Sequence, residues 1–184
     1  MTCREQQSRK NESATHADAS CNEARTLGYS CGRGTVIPMP PVTDARLREI
    51  LEGSPTIAVL EMHNEPEKAA YYVPEYLHEE GYRVIGVNPR FFGEELFGEK
   101  VRAQLRDIKE PVDLVDIFRR GEQINDHVED ILAMQPRPKV VWMQLGIKNE
   151  EAAKRLQEAG IEVIQNRCTL ADHQRLGLGK PKLL

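Results

Sequence analysis

Between residues 56 and 165 the chain alternates short apolar runs with stretches of helical periodicity, and that alternation leaves few folds open. The runs TIAVL (56–60), RVIGV (83–87), VDLVDI (112–117), VVWM (140–143) and EVIQ (162–165) are too short for buried helices and suit strands. A helix is expected over 66–80, ended by Gly81, with Pro66 in its first turn, where a missing N–H costs nothing. A second is expected over 121–134, with Ile124, Val128, Ile131 and Leu132 on one face, and a third over 149–159, closed by Gly160. Thr43-Asp44 marks the start of a leading helix over 44–51 with Gly53 as its stop, and a terminal helix is expected over 170–176. Residues 91–107 hold two glycines and read as irregular, with a short helix near 101–105. Strands separated by helices of about 10–15 residues require right-handed crossovers and parallel pairing. The expected fold is α/β: a doubly wound, Rossmann-like parallel sheet of about five strands with helices on both faces.

Length and composition narrow the remaining choices. The chain has 184 residues, 40% apolar and 29% charged, with a net charge of −4, which fits one soluble domain and argues against a basic nucleic-acid-binding face. No apolar run is long enough to span a membrane, and the opening MTCREQQSRKNESATH lacks the apolar centre of a secretory signal, so a cytoplasmic location is expected. Residues 1–37 are polar and aperiodic, and are expected to be a disordered or otherwise separate extension. Pro38, Pro40 and Pro41 form a stiff spacer before a domain expected over 43–178, with 179–184 as a tail. Cys3, Cys21 and Cys31 show no CxxC spacing, so neither a metal site nor a disulfide framework is expected.

In an open parallel sheet the ligand sits beyond the C-terminal ends of the strands, where the strand order reverses. The candidates there are Glu61, Met62, His63, Asn64, Glu65 and Lys68 after the first strand, and Asn88, Pro89 and Arg90 after the second. Phe118, Arg119 and Arg120 follow the third, Gln144, Leu145, Gly146, Ile147 and Lys148 the fourth, and Asn166, Arg167 and Cys168 the fifth. All five loops carry a Lys or Arg, which suggests an anion pocket in an acidic protein; the alternative is the ordinary polarity of surface loops. The first loop has no glycine where a phosphate-binding turn would place one, and Glu61 stands there instead.

The blocks YRVIGVNPR, EPVDLVDIFRR, VVWMQLGI and NRC, in this order, resemble the bacterial small CoA-binding protein family. That family is itself similar to the nucleotide-binding half of the succinyl-CoA synthetase alpha subunit, and the resemblance covers roughly residues 43–178. It implies a Rossmann-like fold that binds coenzyme A. By resemblance, the loop containing Met62, His63, Asn64 and Lys68 would hold the diphosphate at the helix N-terminus. Asn88, Pro89 and Arg90 would approach the adenosine and its 3′-phosphate. Phe118 and Arg119 would flank the diphosphate, while Gln144 and Gly146 would line the pantetheine side.

Glu61-Met62-His63 departs from the glycine, small residue and polar residue of the family's turn. Like charges about 4 Å apart cost roughly 4 kcal/mol at an effective dielectric of about 20, or about a thousandfold in affinity. Glu61 escapes that cost by pointing away or by pairing with Lys68 or Arg119.

Other residues suggest catalysis less well. His63 is a candidate general base beside the site, but a single loop histidine more often serves as a polar loop residue. Cys168 follows Arg167, which favours a thiolate, yet no histidine base stands beside it; such a cysteine more often packs as a small hydrophobe. Asp113 and Asp116 are three apart in a strand, hence on opposite faces, and Asp116 is expected to cap or pair at the strand end. Tyr71, Tyr72, Tyr76 and Trp142 read as helix–sheet packing. An acidic residue to hold the ribose of NAD is missing from Asn88-Pro89-Arg90.

The expected function is therefore non-catalytic or regulatory binding of coenzyme A or an acyl-CoA, with no metal, nucleic-acid or membrane partner. One alternative is an acyl-CoA-dependent enzyme. Another is a partner-binding module that kept the fold and lost the nucleotide through Glu61. A homodimer is compatible with a small α/β domain, though no exposed apolar stripe requires one.

Overall fold

The computed structural model describes residues 42–181; the extension expected over 1–37, with Cys3, Cys21 and Cys31, lies outside the described residues. Helix α1 (Asp44–Glu52) starts where Thr43 accepts the Arg46 N–H in its side chain, and ends at Gly53. It leads into β1 (Thr56–Leu60), α2 (Ala69–Glu79) and β2 (Arg83–Val87). A small antiparallel hairpin follows, β3 (Glu95–Leu96) and β4 (Glu99–Lys100), in a segment expected to be irregular. The chain continues through β5 (Leu114–Ile117), α3 (Asn125–Leu132), β6 (Val140–Met143), α4 (Glu150–Glu158), β7 (Glu162–Ile164) and α5 (Thr169–Arg175).

The main sheet is all parallel, in the order β2-β1-β5-β6-β7. This is the doubly wound, Rossmann-like architecture. Nearly every strand residue is buried, because helices cover both faces and leave no side for an alternating polar pattern. Ala58, Leu60, Ile85, Val115, Ile117, Val141 and Met143 pack with α3 and α4 on one face. Ile57, Val59, Leu114, Trp142 and Ile164 pack with α1 and α2 on the other.

The start of α2 differs from the expectation. Helix geometry begins at Ala69, and Pro66 lies at the second position of a β-turn closed by the Lys68 N–H donating to Glu65 O at 3.1 Å. Proline's fixed φ suits that position as well as a helix start. The second proline, Pro74, is inside the helix. It removes the N–H that would bind the Ala70 carbonyl, and the His63 N–H occupies that carbonyl instead at 3.1 Å. The helix-breaking residue thus supplies the acceptor that pins the loop after β1.

The helix expected over 121–134 is divided into a 3-10 turn at Gly121–Gln123 and α3. Among the described residues no helix is long and apolar enough to cross a membrane.

Candidate functional site

The strand order reverses between β1 and β5, so the loops after those two strands flank the crevice where such folds hold ligands. Glu61 is the first residue past β1, and its φ of 64° is the left-handed conformation that glycine adopts without cost. The turn therefore keeps the backbone shape of a glycine turn with a glutamate in it. Met62 beyond it is fully buried and lies over β2, where its Sδ would stand 2.2 Å from a Cβ on Gly86, so only glycine fits at that position. Asn88 is buried and donates from Nδ2 to the Met62 carbonyl at 2.9 Å, while its Oδ1 accepts the Arg90 N–H. His63 accepts the Glu65 N–H at Nδ1 and stacks edge-on against Phe91, 5.2 Å between ring centres. Asn64 donates to Glu94 at 3.2 Å. Met62, His63 and Asn88 thus brace the loop, leaving its tip, including Lys68, exposed.

Across the crevice, Arg119 in the loop after β5 reaches back to Glu61, with Nη1 to Oε2 at 3.1 Å. Of the two partners open to Glu61, the structure selects Arg119; Lys68 instead approaches Glu65 at 3.8 Å. The Arg119 Nε is buried and has no acceptor. His127 stands in the first turn of α3. Burial and then the Arg119 charge hold its pKa below the ordinary histidine value, while Glu61, Asp130 and Asp126 pull it upward. Listing loop residues alone overlooks His127; the usable signal is that α3 begins at the C-terminal edge of the sheet, so its first turn borders the crevice.

The remaining loops are stitched together. A Cβ on Gly121 would meet the Lys148 carbonyl at 2.3 Å, so the loops after β5 and β6 touch backbone to backbone, and Asn149 donates to the Gly121 carbonyl at 2.7 Å. Gly146 donates its N–H to Asn166 Oδ1 at 2.7 Å, joining the loops after β6 and β7. Phe118 is half-buried beside Arg119 in sequence and packs against the α1/α2 face of the core. Arg167 forms an ion pair with Asp172 at 2.5 Å and is committed to the fold. Among the described residues Arg90, Arg120 and Lys148 have no carboxylate partner, and Arg90 lies over the Phe91 ring at 5.8 Å. Three of the five basic loops thus present an unspent cation, besides Arg119 with its free donor.

Gln144 is turned inward. Its Nε2 donates to both oxygens of Asp116 at 2.8 and 2.9 Å and lies 2.7 Å from the Thr169 hydroxyl, which donates to Asp116 at 3.1 Å. Asp116 therefore neither caps nor pairs with a cation at a strand end. It is fully buried inside β5, and desolvation pushes its pKa up to about 7 against those donors. Asp113, by contrast, holds Lys139 at 2.9 Å and the Thr56 N–H. Cys168 lines a recess of about 250 Å3 at the ends of β6 and β7 with Leu145, Asn166 and Ala171, and no histidine lines it. Among the described residues no group of three or more His, Cys, Asp or Glu is arranged to hold a metal.

Fold and crevice together define a Rossmann-like α/β domain whose switch point is furnished with cations. The chain belongs to the CoA binding domain family, whose model matches residues 55–174. It is 36% identical over 129 residues to the uncharacterized protein YneT of Bacillus subtilis (strain 168), covering 70% of this chain and 93% of that protein. It is similar to a solved Thermus thermophilus structure, cell-free ID.343, at 50% identity and a TM-score of 0.70 over 73% of this chain and 99% of that one. A hypothetical protein from Pyrococcus horikoshii OT3 aligns at 36% identity and a TM-score of 0.69, over 78% and 98% of the two chains. The family seen in the blocks around Asn88, Arg119 and Gln144 is thus the family to which the chain belongs.

Proposed function

We propose that this domain binds coenzyme A or an acyl-CoA in the crevice between the loops after β1 and β5, as a binding module without a reaction of its own. The observation that carries this is the Arg119 guanidinium, brought across the switch point with a buried, unpartnered Nε. Arg90, Arg120 and Lys148, free of carboxylates, supply charge for the remaining phosphates. Glu61, whose charge opposes a diphosphate, is already paired with Arg119, and its backbone takes the left-handed conformation of a glycine turn. The residues present therefore fit the ligand. Coenzyme A would supply its thiol as an acyl carrier; the chain would bind and orient it. Family membership supports the ligand class. A cytoplasmic location follows from that class of ligand.

Calorimetric titration of the full chain with coenzyme A, beside Glu61→Gly, tests the proposal. Micromolar binding by the natural protein supports it. Binding only by the variant would show that Glu61 has closed an otherwise intact site and would favour a module that has exchanged the nucleotide for another partner. No binding by either removes coenzyme A as the ligand.

A further inference from the structure

We propose that Asp116, Gln144 and Thr169 form a buried proton-operated switch: as Asp116 takes up a proton, the Gln144 amide turns end for end and exchanges the group it offers outward. The switch stands independently of which ligand the crevice holds.

The three side chains meet from three elements, β5, the loop after β6 and the first residue of α5, and all three are buried. Gln144 Nε2 lies 2.8 and 2.9 Å from the two Asp116 oxygens and 2.7 Å from Thr169 Oγ1. The Thr169 hydroxyl donates to Asp116 Oδ2 at 3.1 Å. Every proton in the group is used. Nε2 carries two, one for the carboxylate and one for Oγ1, and the hydroxyl carries the third. This is the arrangement of an ionised carboxylate, which accepts and does not donate.

No cation balances it. Asp116 stands in register with Val59 of β1 and Trp142 of β6, and the groups that act on it are the neutral donors of Gln144, Thr169 and the Ile117 backbone. The arginines of the adjoining loops are engaged elsewhere, Arg119 with Glu61 and Arg167 with Asp172. Burial therefore favours the acid form while the donors favour the anion.

The acid form conflicts with the present arrangement. A hydrogen on Oδ1 would meet the Gln144 N–H, donor against donor. A hydrogen on Oδ2 directed at Thr169 Oγ1 fares no better. Oγ1 already accepts from Nε2, so the Thr169 hydrogen would be left without an acceptor in a fully buried place. A half-turn of the Gln144 amide removes the conflict. Its Oε1 then stands where Nε2 stood and accepts the Asp116 O–H, while Thr169 goes on donating to Oδ2. Only the two amide ends exchange places, and one pocket serves both protonation states.

The consequence falls at the other end of the amide. Gln144 Oε1 has no hydrogen-bond partner among the described residues, nor is it one of their buried unpartnered atoms, so it meets water. With Asp116 ionised, that end is a carbonyl and accepts. With Asp116 protonated, it is an amide and donates. One proton on a fully buried residue thus reverses the hydrogen-bonding sense of the residue that heads the loop after β6.

The full chain, isotope-labelled, is followed by NMR between about pH 5 and 9. The Asp116 carboxyl carbon should titrate with a midpoint of about 7. Above that midpoint the Gln144 side-chain N–H protons should lie close to Thr169 and exchange slowly with water. Below it both marks should be lost, with the same midpoint. Asp116→Asn, fixed in the uncharged form, should show the outward amide at every pH. Thr169→Val removes one donor to the anion and should raise the midpoint by about 0.5–1 pH unit. A carboxyl that titrates while the Gln144 protons stay against Thr169 overturns the switch, and so does a carboxyl that does not titrate across this range. An inward amide in Asp116→Asn overturns it as well. Should that variant fail to fold by circular dichroism, Thr169→Val decides, and an unchanged midpoint there overturns the switch.

Discussion

At the edge where the strands begin, charge is matched closely. Asp113 holds Lys139 at 2.9 Å, Arg46 holds Glu162 at 2.5 Å, and Arg83 holds Glu99 at 2.7 Å. At the edge where the strands end, Arg90, Arg120 and Lys148 lack carboxylate partners, and Arg119 keeps an orphan Nε. There too Glu61 and Asn166 take left-handed φ values of 64° and 57°. One sheet thus has an edge of matched charge and an edge that leaves charge unspent around two left-handed side-chain-bearing residues. Such departures persist where the surrounding structure overdetermines them, and they concentrate at binding sites.

Two aspartates of the β5 segment bring the contrast within three residues. Asp113 is paired with Lys139 at the matched edge; Asp116, nearer the other, is buried among the neutral donors of Gln144, Thr169 and the Ile117 backbone. The folded-state pKa of Asp116 is raised, to about 7, so its stabilising contribution is complete below the unfolded carboxylate value and is lost as pH rises through about 7. Asp116→Asn, permanently neutral, should therefore be more stable than the natural protein at about pH 8, by about 2–4 kcal/mol, with the advantage shrinking as pH falls. Asp113→Asn loses the Lys139 pair and should move the other way, by about 0.5–1 kcal/mol. Urea unfolding at several pH values measures both. Loss of stability in Asp116→Asn at every pH would mean that the donors hold the carboxylate ionised, and the contrast between the two aspartates would vanish.

The next effect separates the edges by function. Arg119→Ala removes the cation of the crevice and should weaken coenzyme A binding by about 10- to 100-fold, the worth of one or two charge-assisted hydrogen bonds. Arg46→Ala removes a closer ion pair at the matched edge, 2.5 Å against 3.1 Å, and should change affinity less than about twofold. Calorimetry on the two variants decides it, and equal losses would take Arg119 out of the site.

The folding signal in the sequence was strongest where burial is two-sided. β1, β2 and β6 were legible to the residue because both faces are covered, and the run itself is the strand. The start of α1 was legible because the Thr43 side chain caps it, whereas Asn149, read as the first residue of a helix, is the cap before α4. The start of α2 was not, because Pro66 satisfies a turn and a helix start equally, and only the position of His63 shows why Pro74 is tolerated. The hairpin of β3 and β4 has two residues per strand, too few for any period to emerge. At the site, the Glu61–Arg119 pair was one of two options visible from charge alone. The burial of Asp116 was not visible, since its partners Gln144 and Thr169 come from 28 and 53 positions away.

The smallest effect concerns the turn itself. Glu61→Gly relieves the left-handed conformation, a gain of about 1–2 kcal/mol, since a side chain at positive φ brings Cβ against the carbonyl. Against that stand the lost pair with Arg119, about 0–1 kcal/mol for partly exposed partners, and the greater freedom of glycine in the unfolded chain, about 0.5–1 kcal/mol. The terms nearly cancel, so the variant should unfold within about 1 kcal/mol of the natural protein. Glu61→Gln keeps the left-handed strain and loses the pair, so it should be the less stable of the two. Thermal unfolding of both variants side by side checks the order. If Glu61→Gln proved the more stable, the left-handed conformation of Glu61 would carry no strain.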